Sequence, residues 1–317
     1  MSTDLDVVGI GALNVDFLVP AVVPALVREW GTEQVLDTAL IPADGRAALG
    51  GSAFNTIHAI AHCHTGLRLG YVGVAGRMPV PELSVPATFD ALGIDRRYVF
   101  DDEALSGVCV AVMRDGERTL LTHPGANAAF PDHLDRAFDD LVGYLGRARL
   151  LHVTSFLDDR SPGRLLALLT AVKAAHPGTR ISLDPGHVWA THRTAEIDGL
   201  VRLADILLVN AREAGALAGT GTGAVVVVKH ASGIRVGTRF LTQVPLAASQ
   251  IVDATGAGDV FAAGLLIPLA TDPAQVEAGC RLGMRLARHR LRYAAISGYA
   301  RLVREFMTAG GQHRTTG

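Results

Sequence analysis

The chain has 317 residues, 49% of them apolar and 19% charged, with a formal net charge of −2. That length and apolar content allow one large domain or two small ones around a sizeable core, and exclude disorder except at the ends. A near-neutral balance without a Lys/Arg block excludes nucleic acid and anionic membrane surfaces as partners.

The N-terminus, "MSTDLDVVGIGALNVDF", carries acids where a signal peptide needs a basic region. The longest apolar runs, such as "VFAAGLLIPLA", fall short of a spanning helix. The three cysteines, Cys63, Cys109 and Cys280, stand in no metal spacing and read as small core residues in a reducing compartment. A soluble cytoplasmic protein is expected.

In chain order, six buried strands are predicted: 6–13, 67–76, 149–155, 180–185, 205–210 and 224–230. Helical periodicity lies between several of them, as in "SAFNTIHAIAHCH" and "SPGRLLALLTAVKAA". This alternation predicts an α/β fold with a mostly parallel central sheet covered by helices, and ligands at the carboxyl ends of its strands. Residues 17–49 are irregular, with Pro20, Pro24, Pro42 and Gly45. Residues 106–127 read as two strands joined through Asp115-Gly116, a hairpin pair without a crossover helix. Both segments are assigned to a small β lid, from about 17–49 and 98–125, on a single domain spanning 1–308. The stretch 309–317 is expected to be a flexible tail.

Four stretches carry chemistry. "GALNVDF" (11–17) places Asn14 and Asp16 at the carboxyl end of the first strand, as hydroxyl ligands should be; a surface turn is the alternative. In "LGGSAFNTIHAIA" (49–61), Gly50 and Gly51 allow a ligand close to backbone. Ser52 is a cap candidate, and Asn55 offers a donor and an acceptor from the first helical turn. In "VNAREAGALAG" (209–219), Asn210 ends a strand and Glu213 follows three residues later. That pair either holds waters around a Mg²⁺ ion or simply caps the helix. In "VDATGAGDVFAAG" (252–264), Gly256, Ala257 and Gly258 leave backbone N–H groups bare at a helix start, behind Thr255 as cap, with Asp259 beside them. Such a start binds a phosphate, and a carboxylate there can take the proton of an attacking hydroxyl. An ordinary capped helix with an acid in its first turn remains the alternative.

The order "NVD", "GGSAFN", "NAREA" and "DATGAGD" resembles the ribokinase (PfkB) family of small-molecule kinases along almost the whole chain. The hairpin 106–127 resembles that family's lid segment, and "SLDPGHVWA" its mid-domain strand and loop. The resemblance implies a ribokinase-like fold and ATP-dependent phosphorylation of an alcohol, a primary one, on a sugar or a nucleoside. It makes Asp259 the base, with an ordinary low pKa, and Ala254 to Gly258 the anion hole. Asp16, Gly51 and Asn55 would grip the acceptor, with Asn14 close by. Asn210 and Glu213 would organise Mg²⁺ and phosphates, while Lys229, Ser232 and Gly233 would lie near the nucleotide. Family members are often dimers that share lid strands, and some respond to K⁺.

The chain departs from this pattern in two places. "VGVAGRMPVPELSVP" (72–86) replaces a Gly-Asp-Asp type turn, and "VVVKHASG" puts His230 and Ala231 ahead of Gly233. Phe54 stands where smaller residues are frequent, and Phe17, Phe54 or Phe156 are candidates to face a nucleobase. "GIGALN" lacks the third glycine of a dinucleotide fingerprint, and no GxxxxGK[ST] loop occurs. His58 and His62, four apart with His64 nearby, read as a packed or exposed helix face rather than a metal site. Arg118 reads as a hairpin surface charge or a substrate contact. A member of the fold that binds ligand without turnover is the reading of another class.

Overall fold

The computed structural model describes residues 4–19, 46–114, 117–293 and 298–312. β1 (Leu5–Ile10) is buried at all six positions, as a strand covered on both faces must be. After a break at residues 11–13 the chain leaves for a second sheet through β2 (Asn14–Val19) and returns on β3 (Arg46–Gly50) to helix α1 (Ser52–His62). β4 (Leu69–Arg77), α2 (Val85–Leu92) and β5 (Ile94–Leu105) come next, then the hairpin pair β6 (Gly107–Arg114) and β7 (Glu117–His123).

Crossover units then repeat. α3 (Phe130–Arg136) and α4 (Phe138–Leu145) precede β8 (Ala148–Thr154), and α5 (Ser161–Ala175) precedes β9 (Arg180–Asp184). α6 (Gly186–Thr191) and α7 (Ala195–Leu203) lead to β10 (Ile206–Asn210), and α8 (Ala211–Ala216) leads to β11 (Val225–His230). The chain closes with β12 (Gly233–Val236), β13 (Arg239–Thr242), α9 (Ala257–Thr271), α10 (Val276–Arg292) and α11 (Tyr299–Gln312).

The main sheet has the order β13-β12-β11-β10-β9-β8-β1-β4-β5. Seven strands, β11 through β5 in that order, pair in parallel, and the β12–β13 hairpin adds an antiparallel edge. All six predicted strands are present. β5 and the β12–β13 hairpin were not anticipated, because edge strands expose one face and lose the continuous apolar signal.

Two apolar layers cover the sheet. One joins Val7 to the inner faces of α1, α9 and α10; the other joins Val8 and Ile10 to those of α4, α5 and α7. α9 and α10 cross where Gly264 meets Gly283, and a Cβ at Gly264 would strike the Gly283 backbone. That close crossing holds α9 rigidly under the site.

The lid sheet has the order β3-β2-β6-β7. β2 pairs in parallel with β6 and antiparallel with β3. Its apolar face (Val15, Phe17, Val108, Val110) packs on Met78, Val80 and Leu83. The divergent 72–86 segment therefore serves as the lid's footing. Of the span expected as lid, residues 98–105 instead belong to β5 in the main sheet, while β2 brings Asn14 and Asp16 into the lid. Residues 20–45, the Asp115-Gly116 turn and the Arg118 side chain lie outside the described parts. Residues 309–312 of the expected tail continue α11, and 313–317 lie outside the described residues. No described helix is long and apolar enough to cross a membrane.

Candidate active site

α9 begins where the sequence places it. Gly256 is its N-cap with φ +69°, a left-handed conformation that glycine adopts without strain, and no side chain caps the helix. Thr255 therefore does not fill the capping role expected of it. The Ala257 amide donates a long 3.3 Å bond to the Ala254 carbonyl, while the Gly256 and Gly258 amides have no acceptor among the described residues. Open amides and the positive end of a fifteen-residue helix leave this start electrostatically favourable to an anion.

Asp259 sits in that first turn. Asn55 Nδ2, from the first turn of α1, donates a 3.0 Å hydrogen bond to its Oδ2. The Thr56 hydroxyl reaches the Asp259 carbonyl at 3.2 Å, so α1 and α9 are pinned together at their starts. The residue keeps partial exposure, yet its carboxyl group lies in dense protein. Burial lifts its pKa to about 6, opposed by the Asn55 bond and the Lys229 charge and assisted by the like charge of Asp184. This corrects the expectation of an ordinary low value. The hydrogen bonds from Asn55 and Ser52 do not offset the lost hydration.

Lys229, next to last in β11, forms a 2.8 Å ion pair with Asp184 Oδ2 at the end of β9. Burial alone would lower the Lys229 ammonium, but Asp184, Glu213 and Asp259 together hold it above its ordinary value. A side chain at Gly258 would approach Lys229 Nζ to 3.7 Å, so the ammonium stands at the α9 start. Asn210 and Glu213 form a reciprocal capping box. Asn210 Oδ1 accepts from the Arg212 and Glu213 amides at 2.9 Å, and Glu213 Oε2 accepts from the Asn210 amide at 2.8 Å. Burial raises the Glu213 pKa, with the Asn210 amide pulling the other way.

On the lid side, glycines make room for polar groups. A Cβ at Gly50 would overlap the Asp16 carboxylate, and one at Gly51 (φ +106°) would overlap the Ala12 carbonyl. The first polar turn of β2 and the N-terminus of α1 are thus packed together. Asn127 locks Asn14 there. Its Nδ2 donates to Asn14 Oδ1 (3.1 Å), to the Leu13 carbonyl (2.9 Å) and to the Pro124 carbonyl (3.0 Å), and its Oδ1 accepts from the Leu13 amide (3.0 Å).

Ser232 is exposed in the two-residue turn between β11 and β12, and Gly233 (φ +148°) opens β12 against the Leu241 carbonyl. Phe17, Phe54 and Phe156 are at most 2% exposed. Phe54 packs on Phe89 and Tyr71, and Phe156 stacks on Phe130, so all three are core residues rather than pocket walls. His58 packs between Phe54 and His62, and no metal-holding cluster of three or more His, Cys, Asp or Glu occurs among the described residues.

Sequence reasoning missed Asp184 and Asn127. Asp184 had a signal, an acid ending a buried strand. Asn127 had none, because Leu13 and Asn14, the partners that tie it to the site, lie more than a hundred residues away.

Residues 32–295 match the sequence pattern of the pfkB family carbohydrate kinases. An uncharacterized sugar kinase of Archaeoglobus fulgidus is 27% identical over 217 residues, covering 63% of this chain and 82% of its own. The adenosine kinase of Saccharomyces cerevisiae is 25% identical over 280 residues, 80% of each chain. The solved adenosine kinase of Schistosoma mansoni, in complex with 2-fluoroadenosine, superposes with a TM-score of 0.74 at 15% identity. That alignment covers 93% of this chain and 98% of the other. With its ribokinase-like α/β fold and a family pattern spanning most of its length, this chain belongs to the pfkB family of carbohydrate kinases and is a small-molecule phosphotransferase.

Proposed function

We propose that the protein moves the γ-phosphoryl group of ATP to a hydroxyl, a primary one, of a sugar or sugar-like molecule. One observation carries the reading: a carboxylate, held by Asn55, lies in the first turn of an uncapped, glycine-built helix start beside a lysine. Asp259 takes the proton of the acceptor hydroxyl as its oxygen bonds to phosphorus, and the bond from phosphorus to the ADP oxygen breaks. With its pKa near 6 the carboxyl group is mostly ionised at pH 7 and still basic enough to draw the proton.

The Gly256 and Gly258 amides and the Lys229 ammonium face the charge that gathers on the transferring group. They are fixed before it arrives, so no reorganisation is needed. Asp184 holds Lys229 in place and limits its approach to Asp259. Asn14, Asp16, Gly50, Gly51 and Asn55 form the acceptor's side of the cleft, beneath a lid that excludes water. Asn210, Thr255, Ser232 and Gly233 are the nucleotide's side. Glu213 spends one carboxylate oxygen on its cap and has the second for a water of Mg²⁺, which when bound neutralises charge on the phosphates.

The relatives named adenosine kinase support a second reading, a nucleoside as acceptor. The burial of Phe17, Phe54 and Phe156 removes the aromatic wall proposed for a base and favours the sugar. A lid-to-lid dimer fits the outer positions of β3 and β7 in the lid sheet. The test is Mg²⁺- and ATP-dependent ADP release against sugars, sugar phosphates and nucleosides, with Asp259→Asn alongside. Turnover confined to one acceptor class and lost in the variant supports the assignment. ATP binding without turnover on any acceptor would favour the ligand-binding reading instead.

A further inference from the structure

The candidate active site uses the carboxyl ends of the strands. At the opposite edge of the sheet lies a cavity of about 510 Å³, between the starts of β8 and β9 and the C-terminal ends of α5 and α9. That volume suits a metabolite-sized ligand.

Two guanidinium groups line it, Arg149 and Arg180. Arg149 is engaged: its Nε lies 3.4 Å from Asp6, and its Nη1 donates at 3.5 Å to the Ala270 carbonyl. Asp6 is in turn shared with Arg68 at 3.4 Å, so one carboxylate serves two arginines. Arg180 differs. It makes no hydrogen bond or ion pair among the described residues, and its Nη1 is sealed from solvent without a partner. The rest of this guanidinium is open to the cavity, and an arginine fork is shaped for a carboxylate or phosphate. The imidazole of His176 completes the polar wall, and Gly146 is required beside it, since a Cβ there would overlap the ring. Leu269 and Pro273 form an apolar wall opposite.

We infer that this cavity binds a small organic oxyanion, a carboxylate or phosphate ester, through Arg180 and Arg149. The apolar wall favours a ligand with a carbon skeleton over a bare ion. The site lies at the far end of α9 from Asp259, about 20 Å away for a helix of this length. It is separate from the cleft assigned to ATP and acceptor.

The test is isothermal titration of the full chain with citrate and, separately, with inorganic phosphate at matched ionic strength. Two variants act independently: Arg180→Gln removes the charge, and Ala175→Trp fills the cavity from an exposed position that tolerates a large side chain. We expect saturable binding of at least one probe, weakened tenfold or more in both variants, with thermal unfolding of the free Ala175→Trp protein unchanged. The probe that binds more tightly tells carboxylate from phosphate ligands. An isotherm retained in Ala175→Trp, or no saturable binding of either probe, overturns the inference. Both readouts are binding rather than turnover, so they stand or fall independently of the ADP-release assay.

Discussion

At the start of α8, Asn210 accepts from the Arg212 and Glu213 amides and Glu213 accepts back from the Asn210 amide. At the start of α9, Gly256 takes the N-cap position with no side chain to offer, and the amide of Gly258 is left open. Both helices follow the carboxyl edge of the same sheet, and both starts read as phosphate or metal ligands in the sequence. The first satisfies its own amides, while the second leaves them for an anion. Each free amide costs folding free energy unless water or a ligand takes it. In the proposed function the phosphoryl group is therefore assigned to the unspent donors rather than to the acids nearby.

The sharpest way to break this contrast is Asp259→Asn, expected to lower kcat on the order of 10²–10⁴-fold while ATP affinity persists. Its effect on stability runs the other way. A carboxyl group whose folded pKa (about 6) lies above its unfolded value makes the folded state the better proton binder, so stability falls as pH rises from about 4 to 6. Removing the charge should therefore raise stability at pH 7, by on the order of 1 kcal/mol. Thermal melts at pH 5 and pH 7 check this, and a variant that melts lower at pH 7 would contradict it.

Lys229→Met should cost about 10²-fold in kcat, the range for one lost donor to transition-state charge. It should also destabilise, by leaving Asp184 half-buried and unpaired. Adding Asp184→Asn should restore the melting temperature but not the turnover. Recovery of both would make the ion pair merely structural.

The pH profile comes next. Log kcat/KM should fall with unit slope below about pH 6, tenfold per unit, as Asp259 of the free enzyme takes up its proton. In Asp259→Asn that limb should vanish from the residual activity.

The smallest effects belong to α8. Asn210→Ala should cost about 1 kcal/mol in a denaturant titration, as a lost cap does. Glu213→Gln, which keeps an acceptor for the Asn210 amide, should cost less than 0.5 kcal/mol but raise the Mg²⁺ needed for half-maximal rate. An unchanged Mg²⁺ requirement would leave Glu213 a cap alone.

Much of the architecture was legible because the six central strands are covered on both faces and write themselves as runs such as "VVVVKH". The edge was harder to read. β5 carries Asp95, Arg96, Arg97, Asp101, Asp102 and Glu103 along a half-exposed strand that no apolar run announces. Asn14, Asp16, Gly50, Gly51, Asn55 and Asp259 were singled out by type and spacing, and the structure gathers Asn55 with Asp259 and Gly50 with Asp16. Asn127 is invisible in one dimension, since an asparagine after Pro-Gly-Ala reads as a turn residue until its bonds to Leu13 and Asn14 are formed.

The sequence by itself determined the alternation of strands and helices, the glycine-built start of α9 and the acid placed there. These are local facts, set by periodicity and by backbone that tolerates positive φ. Only the tertiary structure decided that Asp259 is a weaker acid than its type implies, that Lys229 answers to Asp184, and that Phe54 is core. Each depends on how much protein surrounds a group and on which distant charge is packed beside it, and both are properties of the folded volume rather than of neighbours in the chain.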